Sequence, residues 1–168
     1  VLEFLVGELL AGGNEREVAF RGGVRYALRF LPGLPATARP YRGGCPVRLV
    51  SRERGSLESL CYAGFEPPRP GSGEVLVRVE AAGLNFRDVL KGLGLYPADA
   101  PDARTFGDEV AGEVVAVGPD VGGLAPGDRV FGLASFGMAT HSLARATDLL
   151  PLPDGLPAAH AATVPVVF

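Results

Sequence analysis

The chain has 168 residues, of which 47% are hydrophobic and 21% charged, with a formal net charge of -3. This length fits one ordinary domain with an appendage, and the composition is that of a globular protein, not of a disordered or fibrous one. The chain has no run rich in lysine and arginine, so we expect no nucleic-acid partner.

The cysteines and the apolar start of the chain indicate a reduced, cytoplasmic protein. Cys45 and Cys61 are the only cysteines, and they lack Cys-x-x-Cys spacing and nearby histidines that would build a zinc site. Residues 1–10 are apolar but contain Glu3 and Glu8, and they lack the basic start of a signal peptide. Because the segment is also too short to span a bilayer, we expect no membrane contact.

The first part of the chain is predicted to form a small unit followed by a linker. Apolar residues at helical spacing predict a short helix that ends at the glycines of residues 12–13. Residues 17–20 and 24–30 flank Arg-Gly-Gly and predict a hairpin, a unit too small to be stable alone. Residues 31–46 contain four prolines and three glycines, which favours an extended linker and a domain boundary near Arg48.

The remainder is predicted to be mainly β, with short helices. Glycine and proline turns separate short strands, which favours a barrel or a sandwich. The predicted strands cover residues 47–50, 60–63, 74–82, 110–117, 129–133, 139–144 and 149–152. Asn85 is a good N-cap for a helix that has Asp88 in its first turn and ends at Gly92 or Gly94. A last helix is expected over residues 157–163.

The glycine-rich signatures of nucleotide binding are absent from the sequence. Neither Gly-x-Gly-x-x-Gly nor Gly-x-x-x-x-Gly-Lys-Ser/Thr occurs. The nearest match, Gly-Leu-Gly-Leu-Tyr-Pro at residues 92–97, follows a helix, whereas a phosphate-binding turn must precede one. The chain is therefore predicted to lack a Rossmann cradle of its own.

Four segments in order carry a resemblance to a known family. They are Gly-x-Val-Leu-Val-x-Val from residue 73, Ala-Gly-Leu-Asn-Phe-Arg-Asp from residue 82, Gly-Asp-Glu-Val-Ala-Gly from residue 107 and Pro-Gly-Asp-Arg-Val from residue 126. This order resembles the medium-chain dehydrogenase/reductase superfamily. Residues 85–89, 94–97 and 161–168 look like the enoylreductase domain of modular polyketide synthases, which are relatives of quinone oxidoreductases.

The resemblance implies a GroES-like, partly open β-barrel that forms the substrate half of an enoylreductase, without the nucleotide-binding Rossmann half. Residues 17–26 resemble the closing strands of the ketoreductase structural subdomain that precedes such a reductase. The implied domains are a ketoreductase tail with a Pro/Gly linker at residues 1–47 and the substrate half at residues 48–168. The implied partners are the ketoreductase and nucleotide-binding portions of the same synthase.

The resemblance also implies NADPH as cofactor and an enoyl thioester bound to an acyl carrier protein as substrate. Asn85 and Phe86 would lie beside the nicotinamide; read alone, they are an N-cap and a core aromatic. Leu90 falls where several relatives carry a tyrosine that reaches the substrate α-carbon, and leucine cannot donate a proton. Phe136 and Gly137 resemble a loop that lines the acyl channel, with packing inside the loop as the alternative.

No catalytic residue is assigned, because the resemblance places the proton donor downstream of Phe168. If the substrate carries an α-methyl branch, leucine in place of the tyrosine predicts the R configuration. Zinc-dependent relatives have a cysteine near the start of the helix and a histidine beside the glutamate. This chain has Asn-Phe and Gly-Asp-Glu there, so no metal is expected.

The remaining polar residues of this region receive ordinary roles. We expect Arg87 and Asp88 to form a local ion pair or a cap, and Lys91 to be a solvated residue. His141 and His160 lack partner spacing and are expected to be surface or packed histidines.

Three functions remain open from the sequence. The leading hypothesis is part of an NADPH-dependent enoyl-thioester reductase of a polyketide synthase, inactive as this chain alone. A catalytically inactive, truncated scaffold or docking module is the second. The third is a fragment of a free-standing quinone or enoyl reductase, in which residues 17–30 would have no partner and the hairpin of residues 20–30 should be flexible.

Overall fold

The computed structural model describes residues 18–21, 24–27 and 43–167. The chain divides into two compact units, Val1–Arg42 and Gly43–Phe168. In the first unit, β1 (Val18–Arg21) and β2 (Val24–Ala27) pair as an antiparallel hairpin. The hairpin prediction is confirmed, whereas the predicted first helix and residues 31–42 of the linker lie outside the described residues.

The second unit contains a five-stranded antiparallel sheet and a separate two-stranded hairpin. The hairpin pairs β3 (Val47–Ser51) with β4 (Leu60–Gly64). The sheet has the order β8-β5-β6-β7-β9. Its strands are β5 (Glu74–Ala82), β6 (Glu109–Val117), β7 (Arg129–Leu133), β8 (His141–Arg145) and β9 (Leu149–Pro151).

The two sheets meet but do not close into a complete barrel. An isolated bridge joins Arg48 to Ala139, and the Leu49 amide donates to the Met138 carbonyl at 2.8 Å. Two short helices complete the unit: α1 (Phe86–Gly92) and α2 (Ala158–Ala161). The predicted class, mainly β with short helices in a partly open barrel, is confirmed.

The core lies on the inner face of the sheet. Alternating residues of β5 place Val75 and Val77 inside with no exposed surface, and Val110, Val114 and Val130 of the neighbouring strands are buried against them. Each such side chain contributes about 1.5–3 kcal/mol through burial. β5 and β7 have the predicted bounds, and the ends of the other strands of this unit differ from their predictions by at most two residues.

Local capping positions α1. The Asp88 carboxylate accepts hydrogen bonds from the backbone amides of Asn85, at 3.0 Å, and Gly107, at 2.8 Å. The chain leaves the helix through Gly94, whose φ of +69° suits glycine. The capping prediction is confirmed. Among the described residues, none of the helices combines the length and apolar character that crossing a membrane requires.

Candidate functional site

The first candidate site lies where β5 leads into α1, around the buried carboxylate of Glu109. This residue is 3% exposed. Its Oε1 accepts a hydrogen bond from Asn85 Nδ2 at 3.0 Å, and its Oε2 accepts one from the Val166 backbone amide at 3.0 Å. The carboxylate therefore joins the start of α1 to the segment that follows α2.

Gly83 makes room for this arrangement. A Cβ atom added at Gly83 would lie 2.2 Å from Glu109 Oε1 and 2.5 Å from the Ala162 carbonyl oxygen. Real Cβ atoms do not approach oxygen so closely, so glycine is required for Glu109 to reach Asn85.

The partner of Asn85 determines which way its amide faces. A carboxylate only accepts hydrogen bonds, so the NH₂ group must face Glu109. An amide nitrogen carries two protons and an amide oxygen two lone pairs. Asn85 thus keeps a second N–H and an oxygen lone pair with which to bind another molecule.

Phe86 follows Asn85 as the first residue of α1. The residue is 75% exposed, and Leu84 on the other side of Asn85 is 71% exposed. The alternative of a core aromatic is therefore wrong, because Phe86, at the first position of α1, is largely exposed. The N-cap reading of Asn85 is correct, and the residue also belongs to the candidate site.

The second candidate site is a cleft of about 650 Å³ between β3 and the segment that follows α1. Phe136 lines this cleft, whereas Leu90 and Gly137 are not among its lining residues. Leu90 is half-buried on α1. Gly137 is buried, and its amide donates to the Gly107 carbonyl at 2.8 Å. Of the three residues predicted for an acyl channel, Phe136 therefore lines the cleft, and Leu90 and Gly137 do not.

Phe136 is held in an uncommon backbone conformation at the edge of the cleft. Its φ is +61°, in the left-handed region that side chains other than glycine rarely adopt. The ring lies 5.4 Å from the guanidinium carbon of Arg48, which also lies 5.5 Å from the Phe65 ring. The Arg48 guanidinium contacts two aromatic rings at distances typical of cation–π interactions.

Lys91 is buried, so the prediction of a solvated lysine is wrong. Its side chain has no exposed surface, and Nζ lies 3.0 Å from Asp102 Oδ2 and 3.9 Å from Asp108 Oδ1. Nζ also lies 5.3 Å from the centre of the Tyr96 ring. Burial is tolerated because two carboxylates and an aromatic ring surround the ammonium group.

The same carboxylates bind Arg87, one helical turn earlier. Arg87 Nη2 lies 2.7 Å from Asp108 Oδ2 and 3.6 Å separates Arg87 Nη1 from Asp102 Oδ2. Of the two expected roles, the cap is confirmed for Asp88, and Arg87 forms its ion pairs with Asp108 and Asp102 rather than with Asp88. A hydrogen bond with Tyr96 raises the pKa of Arg87, burial opposes the rise, and Asp108 adds to it.

Asp102 is a carboxylate whose ionised form is favoured. Burial alone would raise the pKa of Asp102, but the Lys91 ammonium lowers it below its usual value of 3.8 through direct contact and through its charge. The backbone and the Tyr96 hydroxyl lower it further. The pair is therefore ionic at neutral pH.

Sequence reasoning missed Glu109 and Arg48 as members of these sites. Glu109 carries a signal, because an acidic residue opens a strand whose neighbours are apolar and must be paired if it is buried. Arg48 carries no such signal, since Phe65 and Phe136, whose rings it contacts, are distant from it in sequence. Among residues 43–167 and the two described strands, no cluster of three or more His, Cys, Asp or Glu side chains could hold a metal ion.

A partly open antiparallel barrel with a capped helix after the long strand β5 defines a class of domain found as the substrate-binding half of reductases. Residues 71–154 match the family model of the alcohol dehydrogenase GroES-like domain, and the chain belongs to this family. The resemblance to the medium-chain dehydrogenase/reductase superfamily is thereby confirmed.

Individual relatives and solved structures show which members of this family the chain is similar to. The chain is 40% identical over 161 residues to the spectinabilin polyketide synthase system protein NorB of Streptomyces orinoci, covering 93% of this chain and 7% of that protein. CurK enoyl reductase aligns with a TM-score of 0.67 and 34% identity, over 72% of this chain and 39% of that one. Escherichia coli quinone oxidoreductase complexed with NADPH aligns with a TM-score of 0.61 and 29% identity, over 69% and 36%.

These matches also show what the chain covers. It spans less than a tenth of the curated relative's length and about two fifths of the enoyl reductase. The chain corresponds to the substrate-binding half of these oxidoreductases, and their nucleotide-binding half is not part of it.

Proposed function

We propose that this chain forms the substrate-binding half of an NADPH-dependent enoyl-thioester reductase of a polyketide synthase. The complete enzyme would transfer a hydride to the β-carbon, and a proton to the α-carbon, of an acyl chain held on a carrier protein. The observation that carries the proposal is the Asn85 amide, fixed by buried Glu109 and flanked by the exposed Phe86 ring.

The residues at the start of α1 suit the nicotinamide end of the cofactor. A nicotinamide is a flat ring with a carboxamide that both donates and accepts hydrogen bonds. Phe86 offers an exposed apolar face, and Asn85 offers a second N–H and an oxygen lone pair. Asn85 and Phe86 would hold this end, whereas the phosphates would require the nucleotide-binding half. When bound, the cofactor supplies the hydride.

This half would orient the substrate and exclude water. Phe136 and the apolar lining of the cleft favour an acyl chain over water. Leu90, half-buried on α1, cannot protonate the α-carbon, so the proton would come from a residue of the other half or from water. With leucine at this position, an α-methyl product would have the R configuration.

The extent of the match to NorB favours a synthase over a free-standing reductase. The second unit makes up about three quarters of the chain, so a match over 93% of it must extend into the first unit. The solved enoyl reductase and quinone oxidoreductase align over 72% and 69% of this chain, close to the share of the second unit. A synthase-derived sequence before the barrel accounts for the longer match, and the first unit would then be the ketoreductase tail.

The test is NADPH oxidation by the complete reductase, in which this chain is joined to a nucleotide-binding half. Crotonyl-N-acetylcysteamine represents the enoyl thioester and 1,4-benzoquinone the alternative substrate. We expect oxidation with the thioester and a kcat/KM at least tenfold lower with the quinone, roughly the discrimination that one or two polar contacts provide. Oxidation with the quinone alone would favour a quinone reductase, and oxidation with neither would favour a scaffold.

A further inference from the structure

The cleft beside β3 is strongly basic. Five cationic side chains line it, and no carboxylate does. We call this site the basic cleft and define it by these residues: Arg48, Arg52, Arg54, Lys91 and Arg104. A concave surface lined by one sign of charge concentrates counterions, so an anion is the expected occupant.

Two of these cations have partners that hold the walls of the cleft in place. Arg54 Nη2 donates to the carbonyl oxygens of Gly94, at 2.9 Å, and Tyr96, at 2.7 Å. Lys91 lies against Asp102, yet its buried Nζ makes no hydrogen bond of acceptable geometry to any described residue. Its charge is nevertheless matched by the Asp102 and Asp108 carboxylates, so Lys91 supports the wall and is not among the cations available to a ligand.

The other three cations are available to a ligand. Arg52 and Arg104 are exposed, and their side chains make no hydrogen bond or ion pair to another described residue; the backbone amide of Arg52 donates to the Ser59 carbonyl. Among the described residues, the Arg48 guanidinium is placed only against the rings of Phe65 and Phe136 and makes no hydrogen bond or ion pair. An aromatic ring attracts the guanidinium charge but is not a conventional hydrogen-bond acceptor, so the N–H donors of Arg48 can still bind a phosphate.

The chemistry of the cleft indicates a phosphate with an apolar extension. Guanidinium groups bind phosphate through paired, charge-assisted hydrogen bonds. The cleft volume of about 650 Å³ is that of a site for a drug-sized ligand and exceeds the space a single phosphate would fill. The lining also contains an apolar set: Leu49, Val50, Pro101, Phe106 and Phe136.

We propose that the basic cleft binds a phosphate-bearing ligand, with the phosphate at Arg48, Arg52 and Arg104 and an apolar portion against Phe136 and its neighbours. The phosphate could belong to the arm that carries an acyl thioester or to a nicotinamide dinucleotide. The naming of these two sources rests on the proposed function, because an enoyl-thioester reductase would bind both molecules. Phosphate binding itself is measured without any reduction.

The experiment is calorimetric titration of the full chain with sodium pyrophosphate, phosphopantetheine and NADPH, at low and at high salt. Arg48→Gln and Arg104→Gln remove one cation each from the basic cleft. Arg129→Gln is the matched control, because Arg129 pairs with Glu80 and does not line the cleft. Thermal unfolding of each variant checks that it folds. The side chain of Arg104 makes no contact that the substitution would remove, so Arg104→Gln still tests the site if Arg48→Gln is unstable.

We expect binding that weakens with salt, a Kd raised roughly tenfold in each cleft variant and a Kd within about twofold of wild type for Arg129→Gln. Tighter binding of phosphopantetheine would assign the acyl-carrying arm, and tighter binding of NADPH the dinucleotide; both support the site. No binding of any probe, or binding unaffected by Arg48→Gln and Arg104→Gln, would overturn it.

This result is separable from the test of the proposed function. Phosphate binding by the chain, with no enoyl reduction by the complete reductase, would keep the basic cleft and refute the reductase. Enoyl reduction without phosphate binding would keep the reductase and refute the basic cleft.

Discussion

Asn85 and Glu109 are 24 residues apart in sequence, and a 3.0 Å hydrogen bond from Asn85 Nδ2 to Glu109 Oε1 joins them. The same carboxylate accepts the Val166 amide. Because both of its oxygens accept, the Asn85 amide is held in one orientation and its position depends on the segment after α2. The exposed start of α1 therefore has a buried support.

Glu109→Gln should destabilise the fold and disturb this support. The new NH₂ group must face either the Asn85 NH₂ or the Val166 amide, so one donor meets another donor. We expect a loss of about 1–3 kcal/mol in the free energy of unfolding, measured by urea denaturation. The matched control on the same strand is Glu113→Gln, since Glu113 makes an exposed ion pair with Arg78; it should cost under about 1 kcal/mol. Equal losses would contradict the assignment.

Gly83→Ala should be destabilising because its methyl group has no space. The added Cβ would meet Glu109 Oε1 at 2.2 Å and the Ala162 carbonyl oxygen at 2.5 Å. Overpacking of this kind costs about 1–3 kcal/mol. Gly122→Ala is the control, because nothing lies within 4 Å of its added Cβ; it should be neutral or slightly stabilising. Thermal unfolding compares the two, and a neutral Gly83→Ala would show that the segment shifts freely.

Asp102→Asn should destabilise the protein at neutral pH, because the buried Lys91 ammonium loses its nearest carboxylate. Asp102 is partly exposed, so we expect roughly 1–2 kcal/mol. Adding Lys91→Met should recover most of the loss. The depressed folded-state pKa of Asp102 means that its stabilisation is complete above its usual value of 3.8 and is lost as pH falls through the folded-state value.

Urea denaturation as a function of pH measures this dependence. The difference between wild type and Asp102→Asn should be constant near neutral pH and should shrink below about pH 4. Asp154→Asn, at an exposed turn, is the control and should show no difference. A difference that grows in acid would contradict the ionic pair.

His141 should make the protein less stable as pH falls. Burial lowers the pKa of His141 below 6.5, and the charge of Arg78 lowers it further. The folded state therefore favours the neutral ring, and protonation favours the unfolded state. The free energy of unfolding should fall as pH drops from about 6.5 through the folded-state value.

His141→Gln should remove part of this fall in a comparison at about pH 7 and pH 5. His160→Gln replaces the other histidine, which is exposed, and serves as control. An unchanged pH dependence in His141→Gln would show that other groups are responsible.

Local patterns predicted the elements well, whereas contacts between distant segments were not predictable. The alternation of polar and apolar residues predicts β5, and an N-cap residue followed by an acidic residue in the first turn predicts α1. Both signals lie within a few residues of the element that they predict. The burial of Lys91 depends on Asp102 and Asp108 in an irregular segment without periodicity. The contact of Arg48 with Phe136 joins segments 88 positions apart, and no local pattern reports it.

Of the predicted site residues, Asn85 and Phe86 adjoin one another as expected from their sequence. Phe136 lines a cleft, but Gly137 is buried and supports the loop through its bond to Gly107. Side chains that line a loop cannot be separated from those that support it by sequence alone, because loop conformation is set by tertiary contacts.

The most direct test of the central claim follows a labelled hydride in the complete reductase, with both hydrogens at C4 of NADPH replaced by deuterium and crotonyl-N-acetylcysteamine as substrate. We predict deuterium at the β-carbon of the product by NMR, and a kcat/KM lower by roughly tenfold or more in Asn85→Ala, as expected when a positioning contact is lost. Product without deuterium at the β-carbon, or an Asn85→Ala enzyme with wild-type kcat/KM, would contradict the account.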